Sequence, residues 1–82
     1  MKKRFLPGDL VYKPAEGASQ YALWAETGQT DGFSQETGYI ENGTICVVVA
    51  TWYKRGQSEL LVLCPTGVGW QVDDVFRKAG AP

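Results

Sequence analysis

The 82-residue sequence contains no histidine and only two cysteines, Cys46 and Cys64. Without histidine, the chain lacks the usual general base near neutral pH and the Ser-His and Cys-His nucleophile pairs. Histidine is also the commonest metal ligand, and two cysteines alone cannot build a structural zinc site. We therefore expect a protein that is not an enzyme and that holds neither a metal nor a cofactor.

Long apolar runs and an excess of one charge are also missing. The longest apolar run, residues 45–50, has the length of a strand and falls far short of the roughly 20 residues of a membrane span. The net charge of −1 provides no global positive field for nucleic acid. No apolar stretch follows the basic residues 2–4, so we expect no secretion signal and no membrane partner. In a cytosol the two thiols are expected to be reduced.

Turn residues and aromatic residues are abundant: ten Gly, four Pro, three Trp, four Tyr and three Phe. Frequent turn residues favour short strands over long helices. Apolar and β-branched segments predict strands at 10–12, 20–25, 39–40 with 44–53, 58–64 and 68–72, followed by one helical turn at 73–76. For residues 20–25 a helix is the alternative to the favoured strand. This spacing predicts an all-β fold, a small barrel of about five strands.

We expect one domain over residues 1–82, since a chain of this length has room for a single core. Three segments lie outside the predicted barrel: a basic N-terminal arm (1–6), a long insertion (15–38) and a C-terminal tail (77–82). In the barrel, Val11, Val48, Val62 and Trp70 are expected to be buried together, and Trp52 is a further core candidate. The adjacent acids Asp73 and Asp74 are expected to cap the helical turn.

The register of the central hairpin leaves two alternatives for the cysteines. A three-residue turn at 54–56 makes paired residue numbers sum to 110, which places Cys46 opposite Cys64 and Val48 opposite Val62. A turn of two or four residues makes the sum 111, and Cys46 then faces Pro65. Buried free thiols are the favoured expectation over a disulfide. Both faces of the hairpin are largely apolar, so we expect segment 15–38 or another chain to cover the outer face.

The insertion at 15–38 is acidic and aromatic at once. All its charged residues are acidic, and three large aromatic residues lie among them. The aromatic residues either pack on the barrel or anchor a partner, since aromatics are typical of interface hot spots. Acidic neighbours favour a partner with a basic surface. The candidate partner-binding residues are Tyr21, Trp24, Glu26, Asp31, Phe33 and Glu36.

Several short motifs together resemble a known family. Pro7-Gly8-Asp9-Leu10-Val11 opens the chain, Gly43-Thr-Ile-Cys-Val-Val and Leu61-Val-Leu follow, and Thr66-Gly67-Val-Gly69-Trp70 precedes an acidic pair. About half of the chain, residues 7–12 and 43–76, is similar in this way to the small SH3-like barrel proteins of tailed bacteriophages, especially those of cyanobacteria. The resemblance implies an SH3-like barrel with a long loop insertion and a short helical turn near the C-terminus.

For function, the resemblance implies a non-catalytic protein–protein interaction module encoded by a phage. Such a module is either a structural component of the virion or an accessory protein that binds a host factor, located in the virion or in the host cytoplasm. Homo-oligomers and virion assembly both fit this role. The insertion is longer than in that family, and Cys64-Pro65 replaces a tryptophan-containing turn, so no binding surface is carried over.

The alternative function is a nucleic-acid-binding barrel of the KOW or Tudor type. The acidic residues of the middle segment argue against it, because they would repel phosphate. We therefore expect no nucleic-acid partner.

Overall fold

The computed structural model describes residues 5–27 and 35–80, which form one curled antiparallel sheet. Within these ranges the strands are β1 (Leu10–Tyr12), β2 (Gln20–Trp24), β3 (Glu36–Glu41), β4 (Ile45–Lys54), β5 (Gln57–Cys64), β6 (Gly67–Val72) and β7 (Arg77–Lys78). Their order in the sheet is β3-β2-β6-β5-β4-β1-β7. The predicted all-β class is confirmed.

The sheet has more strands than the five or so that the sequence predicts. Strand β7 lies in the predicted tail and pairs with β1, and only two residues of β3, Tyr39 and Ile40, fall in a predicted strand. A two-residue strand shows no alternation of apolar and polar residues, and Gly38 interrupts this alternation in β3. For these reasons the sequence does not reveal β7 and reveals only part of β3. The predicted helical turn is a 3-10 turn, Asp73–Val75, whose N-cap residue is Val72. No side chain caps it, so the capping role expected for Asp73 and Asp74 is wrong.

The concave side of the sheet holds the core. Its members alternate along each strand with residues on the outer face, and the buried apolar residues are Phe5, Val11, Leu23, Ile40, Cys46, Val48, Leu60, Val62, Cys64 and Phe76. Val11, Val48 and Val62 are buried together, as predicted. Trp70 is not part of this group, because its neighbours Gly69 and Gln71 take the buried positions and leave Trp70 half-buried on the outer face. Trp52 is likewise half-buried and is not in the core.

The central hairpin contains both of the registers that the sequence allowed. Its turn has two residues, Arg55 and Gly56, with positive φ angles of 54° and 82°, the conformation of a type I′ turn. Lys54 therefore pairs with Gln57, and the paired numbers sum to 111. A bulge at Val49 then takes up one residue of β4, and beyond it the sum is 110.

This change of register places Cys46 opposite Cys64, and the two form a disulfide with their Cα atoms 4.7 Å apart. The expectation of free thiols is wrong. Both half-cystines are buried among the core residues, with exposed fractions of 2% and 6%. The bond joins the two strands at the end of the hairpin remote from its turn.

The β2–β3 hairpin crosses close over the beginning of β6. Thr37 Oγ1 donates a hydrogen bond to the Val68 carbonyl at 2.7 Å, and Tyr39 N donates to Thr66 Oγ1 at 3.1 Å. The crossing depends on glycine at position 69. A Cβ atom there would lie 2.7 Å from Leu23 Cβ and would also clash with Thr37 Oγ1.

Removing the disulfide is expected to destabilise the fold. The cysteines are 18 residues apart, and closing a loop of this length stabilises a protein by about 3 kcal/mol in the chain-entropy model. The double variant Cys46→Ala/Cys64→Ala should lose about this much unfolding free energy in urea denaturation. Reductant should destabilise the parent protein by a similar amount and leave the variant unchanged. Equal stability of parent and variant would show that the disulfide does not restrain the unfolded chain.

Adding one methyl group at the crossing is also expected to be costly. Gly69→Ala forces β3 away from β6 or strains Leu23, and such overpacking costs about 1–3 kcal/mol. Val68→Ala is the matched control, because Val68 is the next residue and is 44% exposed on the outer face. Thermal unfolding should show a clear loss for Gly69→Ala and a loss below about 1 kcal/mol for Val68→Ala. An unchanged melting temperature for Gly69→Ala would contradict the close crossing.

Candidate protein-interaction surface

An apolar row runs across four strands on the outer face of the sheet. The register aligns Leu10 of β1, Val47 of β4, Leu63 of β5 and Val68 of β6, and we call these four residues the apolar row. Leu10 and Leu63 are 50% and 51% exposed. Four neighbouring strands span roughly 14 Å, so the row is a contiguous surface feature. Ile45, two residues before Val47 in β4, extends it and is also about half exposed.

Next to this row, two tryptophans form a pair on the same face. Trp24 of β2 lies opposite Trp70 of β6, and Leu61 of β5 lies on the other side of Trp70. Both indoles are half-buried. Glu36 of β3 lies opposite Trp24 and is exposed.

Glu26 is also exposed and lies two residues beyond the end of β2. We call Trp24, Trp70, Glu26 and Glu36 the acidic–aromatic end of the outer face. It combines aromatic surface with exposed carboxylates, the composition that suits a basic partner.

The structure brings together some of the predicted partner-binding residues and separates others. Trp24 and Glu36 are direct neighbours across β2 and β3, and Glu26 follows Trp24 closely in the chain. Tyr21 lies opposite the buried Ile40 and packs against the core, so it belongs to the inner side of the sheet. Asp31 and Phe33 lie outside the described residues.

The described part of the insertion extends the sheet at its β6 edge. β2 pairs with β6 at Trp24 and Trp70, and the β2–β3 hairpin crosses over the beginning of β6. The apolar row is left about half exposed. The described part of the segment, residues 15–27 and 35–38, therefore leaves the row exposed, and cover by another chain stays a prediction.

A buried lysine fastens the insertion to the rest of the sheet. Lys13 is 1% exposed, and its Nζ donates hydrogen bonds to the carbonyl oxygens of Pro14 (2.9 Å) and Glu16 (3.2 Å) and to Asn42 Oδ1 (2.5 Å). The same ammonium lies 5.3 Å from the centre of the Tyr21 ring, a cation–π contact. All three N–H groups of Lys13 are therefore used. Sequence reasoning missed this role, because a lysine next to a turn normally lies at the surface.

A shallow cavity of about 320 Å³ lies between the loop after β1 and the 3-10 turn, lined by Pro14, Glu16, Tyr21, Gln71, Val72, Asp74, Val75 and Arg77. At one end Arg77 Nη2 donates to Glu16 Oε1 at 2.9 Å, and both side chains are exposed. Gln71 is 7% exposed, donates from Nε2 to the Ala22 carbonyl at 2.7 Å and accepts a bond from Val72 N at 2.8 Å. Its amide therefore serves to hold β2 against β6.

Neither a metal centre nor a membrane-crossing helix is found in the described parts of the chain. Residues 5–27 and 35–80 contain no group of three or more Cys, Asp or Glu side chains placed to hold a metal ion. Over the same residues, no helix has the length and apolar character that a membrane crossing requires. Neither finding assigns a partner or an activity to the protein.

Comparison of the chain with protein-family models, with curated proteins and with solved structures finds no match in any of the three.

Replacing the buried lysine tests its fastening role. Lys13→Met keeps the aliphatic stem but leaves the Asn42 amide oxygen and two carbonyl oxygens without their donor, and unsatisfied buried groups cost about 1–3 kcal/mol each. We expect a loss of about 2–4 kcal/mol and faster hydrogen exchange in residues 15–22. Lys78→Met is the control, since Lys78 is exposed and its pair with Asp9 is 3.7 Å long. Equal stability losses in the two variants would contradict a special role for Lys13.

Proposed function

We propose that this protein is a non-catalytic protein-interaction module with an SH3-like barrel, and that it binds a partner through the acidic–aromatic end of its outer face. The single observation that carries the proposal is the half-buried Trp24–Trp70 pair with Glu36 opposite Trp24. A half-buried tryptophan is rigid and still presents apolar surface, and tryptophan is enriched among residues that dominate binding energy.

The arrangement of strands supports the SH3-like part of the proposal. Strands β1, β4, β5, β6 and β7 are five antiparallel neighbours in the sheet, with the β2–β3 hairpin inserted between β1 and β4. The 3-10 turn Asp73–Val75 lies between β6 and β7. Five strands, a long insertion and a short helical turn near the C-terminus are the features that the resemblance to phage SH3-like proteins implies.

The chemistry of the acidic–aromatic end defines the partner that it suits. The carboxylates of Glu26 and Glu36 attract Lys and Arg side chains, and an indole face adds a cation–π contact to the same cations. Phosphates of a nucleic acid would be repelled by the same carboxylates. The proposed partner is therefore a protein with a basic surface.

The biological setting is proposed from the resemblance alone. We propose that the protein is encoded by a phage and acts either as a virion component or as an accessory protein that binds a host factor. Its location is then the virion or the host cytoplasm. Identification of the partner distinguishes these two settings.

Site-specific photocrosslinking tests the proposed binding end. A photoreactive amino acid is placed at Gln35, next to Glu36, or at Gln20, the exposed residue of β2 that lies opposite Glu41 at the far end of the hairpin. In the cells that produce the protein, Gln35 should give one crosslinked species and Gln20 none. Mass spectrometry should place the crosslink in a basic segment of the bound protein.

Two charge reversals on the same strand serve as variant and control. Glu36→Lys should reduce the crosslink from Gln35 by about tenfold or more, since it replaces attraction by repulsion. Glu41→Lys makes the same change of net charge on an exposed residue of β3 and should leave the yield unchanged. Equal crosslinking from both positions, or equal effects of both reversals, would refute the proposed binding end.

A further inference from the structure

The position of Glu36 beside the two indoles depends on a bulge in β3. Leu23 of β2 pairs with Gly38 of β3. The next pair is Trp24 with Glu36, so the ladder passes over Thr37, which is an extra residue in β3. Because side chains alternate along a strand, Glu36 would lie on the inner side of the sheet without this extra residue. The bulge therefore places the Glu36 carboxylate on the same face as Trp24.

Hydrogen bonds hold the backbone on both sides of Glu36. Before it, Ala25 N donates to the Gln35 carbonyl at 2.8 Å. After it, Thr37 Oγ1 donates to the Val68 carbonyl at 2.7 Å. In the described part of the chain, no hydrogen bond or ion pair engages the Glu36 carboxylate, and the residue is exposed. The carboxylate is thus held beside the indoles and is available to a partner.

We infer that the acidic–aromatic end binds an arginine side chain of its partner, with the guanidinium stacked on Trp24 and paired with the Glu36 carboxylate. The inference rests on the proposed function and names the side chain that the partner supplies. Residues directly opposite each other on two strands have Cβ atoms about 4.5–5.5 Å apart. A cation paired with Glu36 can therefore lie within roughly 6 Å of the Trp24 ring, the range of a cation–π contact.

The flat shape of the site favours a guanidinium over an ammonium group. A guanidinium is planar, so it stacks on an indole and still directs N–H donors from its edge at a carboxylate. It is also less strongly hydrated than an ammonium, which lowers the cost of placing it against half-buried rings. Trp70, opposite Trp24, extends the apolar surface over which the aliphatic stem of an arginine can lie.

Lys13 shows how this chain holds an ammonium group, and the acidic–aromatic end has a different arrangement. Three oxygen atoms accept hydrogen bonds from Lys13 Nζ, and the Tyr21 ring lies 5.3 Å away. Opposite Trp24, the described part of β3 places one carboxylate, that of Glu36. An ammonium there would direct its remaining N–H groups at water, whereas a guanidinium needs no acceptor over its stacked face. The geometry thus suits arginine better than lysine.

Nuclear magnetic resonance of the three tryptophan indole N–H groups tests the inference, because each signal reports on its own surroundings. The probes are the blocked tripeptides acetyl-Gly-Arg-Gly-amide and acetyl-Gly-Lys-Gly-amide, which carry the same charge. The arginine probe should shift the signals of Trp24 and Trp70 and bind at least about fivefold more tightly than the lysine probe. Trp52 is the internal control, since it is also half-buried but lies opposite the fully buried Glu59. Its signal should not move.

Two neutralisations on the same strand serve as variant and control. Glu36→Gln and Glu41→Gln each remove one negative charge from an exposed residue of β3. Glu36→Gln should weaken binding of the arginine probe about fivefold or more and bring the two probes to similar affinity, because the charge-assisted pair is lost. Glu41→Gln should leave both affinities unchanged. Far-UV circular dichroism establishes that the variants are folded.

A second variant tests the stacked ring. Trp24→Leu removes the flat surface and should also weaken the arginine probe about fivefold or more, measured at the Trp70 signal. Equal affinity of the parent protein for the two probes would overturn the arginine inference. So would unmoved Trp24 and Trp70 signals at about 50 mM of the arginine probe, or equal effects of Glu36→Gln and Glu41→Gln.

The photocrosslink from Gln35 separates this inference from the proposed function. If Gln35 crosslinks to a basic segment of another protein but the two probes bind equally, the arginine inference is refuted and the interaction module stands. If the arginine probe binds as expected but Gln35 gives no crosslink, the arginine site stands and its use on a protein partner is refuted. If the crosslinked segment contains an arginine whose replacement by lysine reduces the crosslink, both are supported.

Discussion

One extra residue in β4, Val49, changes the register of the central hairpin halfway along its length, and the two sides of the molecule depend on this change. On the inner side it brings Cys46 opposite Cys64 and Val48 opposite Val62. On the outer side it aligns Val47 with Leu63. Because side chains alternate along a strand, a hairpin without the bulge would keep the register of its turn and offset both alignments by one residue. The disulfide and the apolar row are therefore two consequences of one local irregularity.

The crossing of the β2–β3 hairpin over β6 is the second constraint on the surface. Glycine at position 69 permits the close approach, and Lys13 fastens the beginning of the insertion to the turn at Asn42. The hairpin is thereby held in its position across β6. As a result Trp24 meets Trp70 on the outer face, while Tyr21 turns inward. Two aromatic residues three positions apart in the sequence thus have different roles.

The strand pattern could be read from the sequence because it rests on local alternation and turn residues. Strands β1, β2, β4, β5 and β6 and the turn after β6 were recognisable in this way, and so was the burial of Val11, Val48 and Val62. The position of Trp70 could not be recognised from the sequence. Its size suggested burial, but the strand register places it on the outer face. The disulfide was not expected, although one hairpin alternative placed Cys46 opposite Cys64, because a reducing cytosol favours free thiols.

The candidate surface was foreseeable in part. Trp24 and Glu36 stood out as an aromatic residue and an acid in a polar segment, and they are neighbours across two strands. The apolar row could not be recognised, because its members come from four strands and each looks like an ordinary strand residue. The buried role of Lys13 could not be recognised either, because its sequence context is that of a surface residue. Its hydrogen-bond acceptors come from the loop after it and from Asn42.

The edges of the sheet determine which kind of association the surface can support. An open strand edge invites addition of further strands and unlimited growth. Here one edge, β7, is two residues long and carries Arg77 and Lys78. At the other edge, the backbone N–H of Tyr39 in β3 donates a hydrogen bond to Thr66 Oγ1, and the Tyr39 carbonyl accepts one from the same hydroxyl. Within the described residues, strand addition at these two edges is thereby limited, which agrees with the proposed binding through side chains of the outer face rather than through a strand edge.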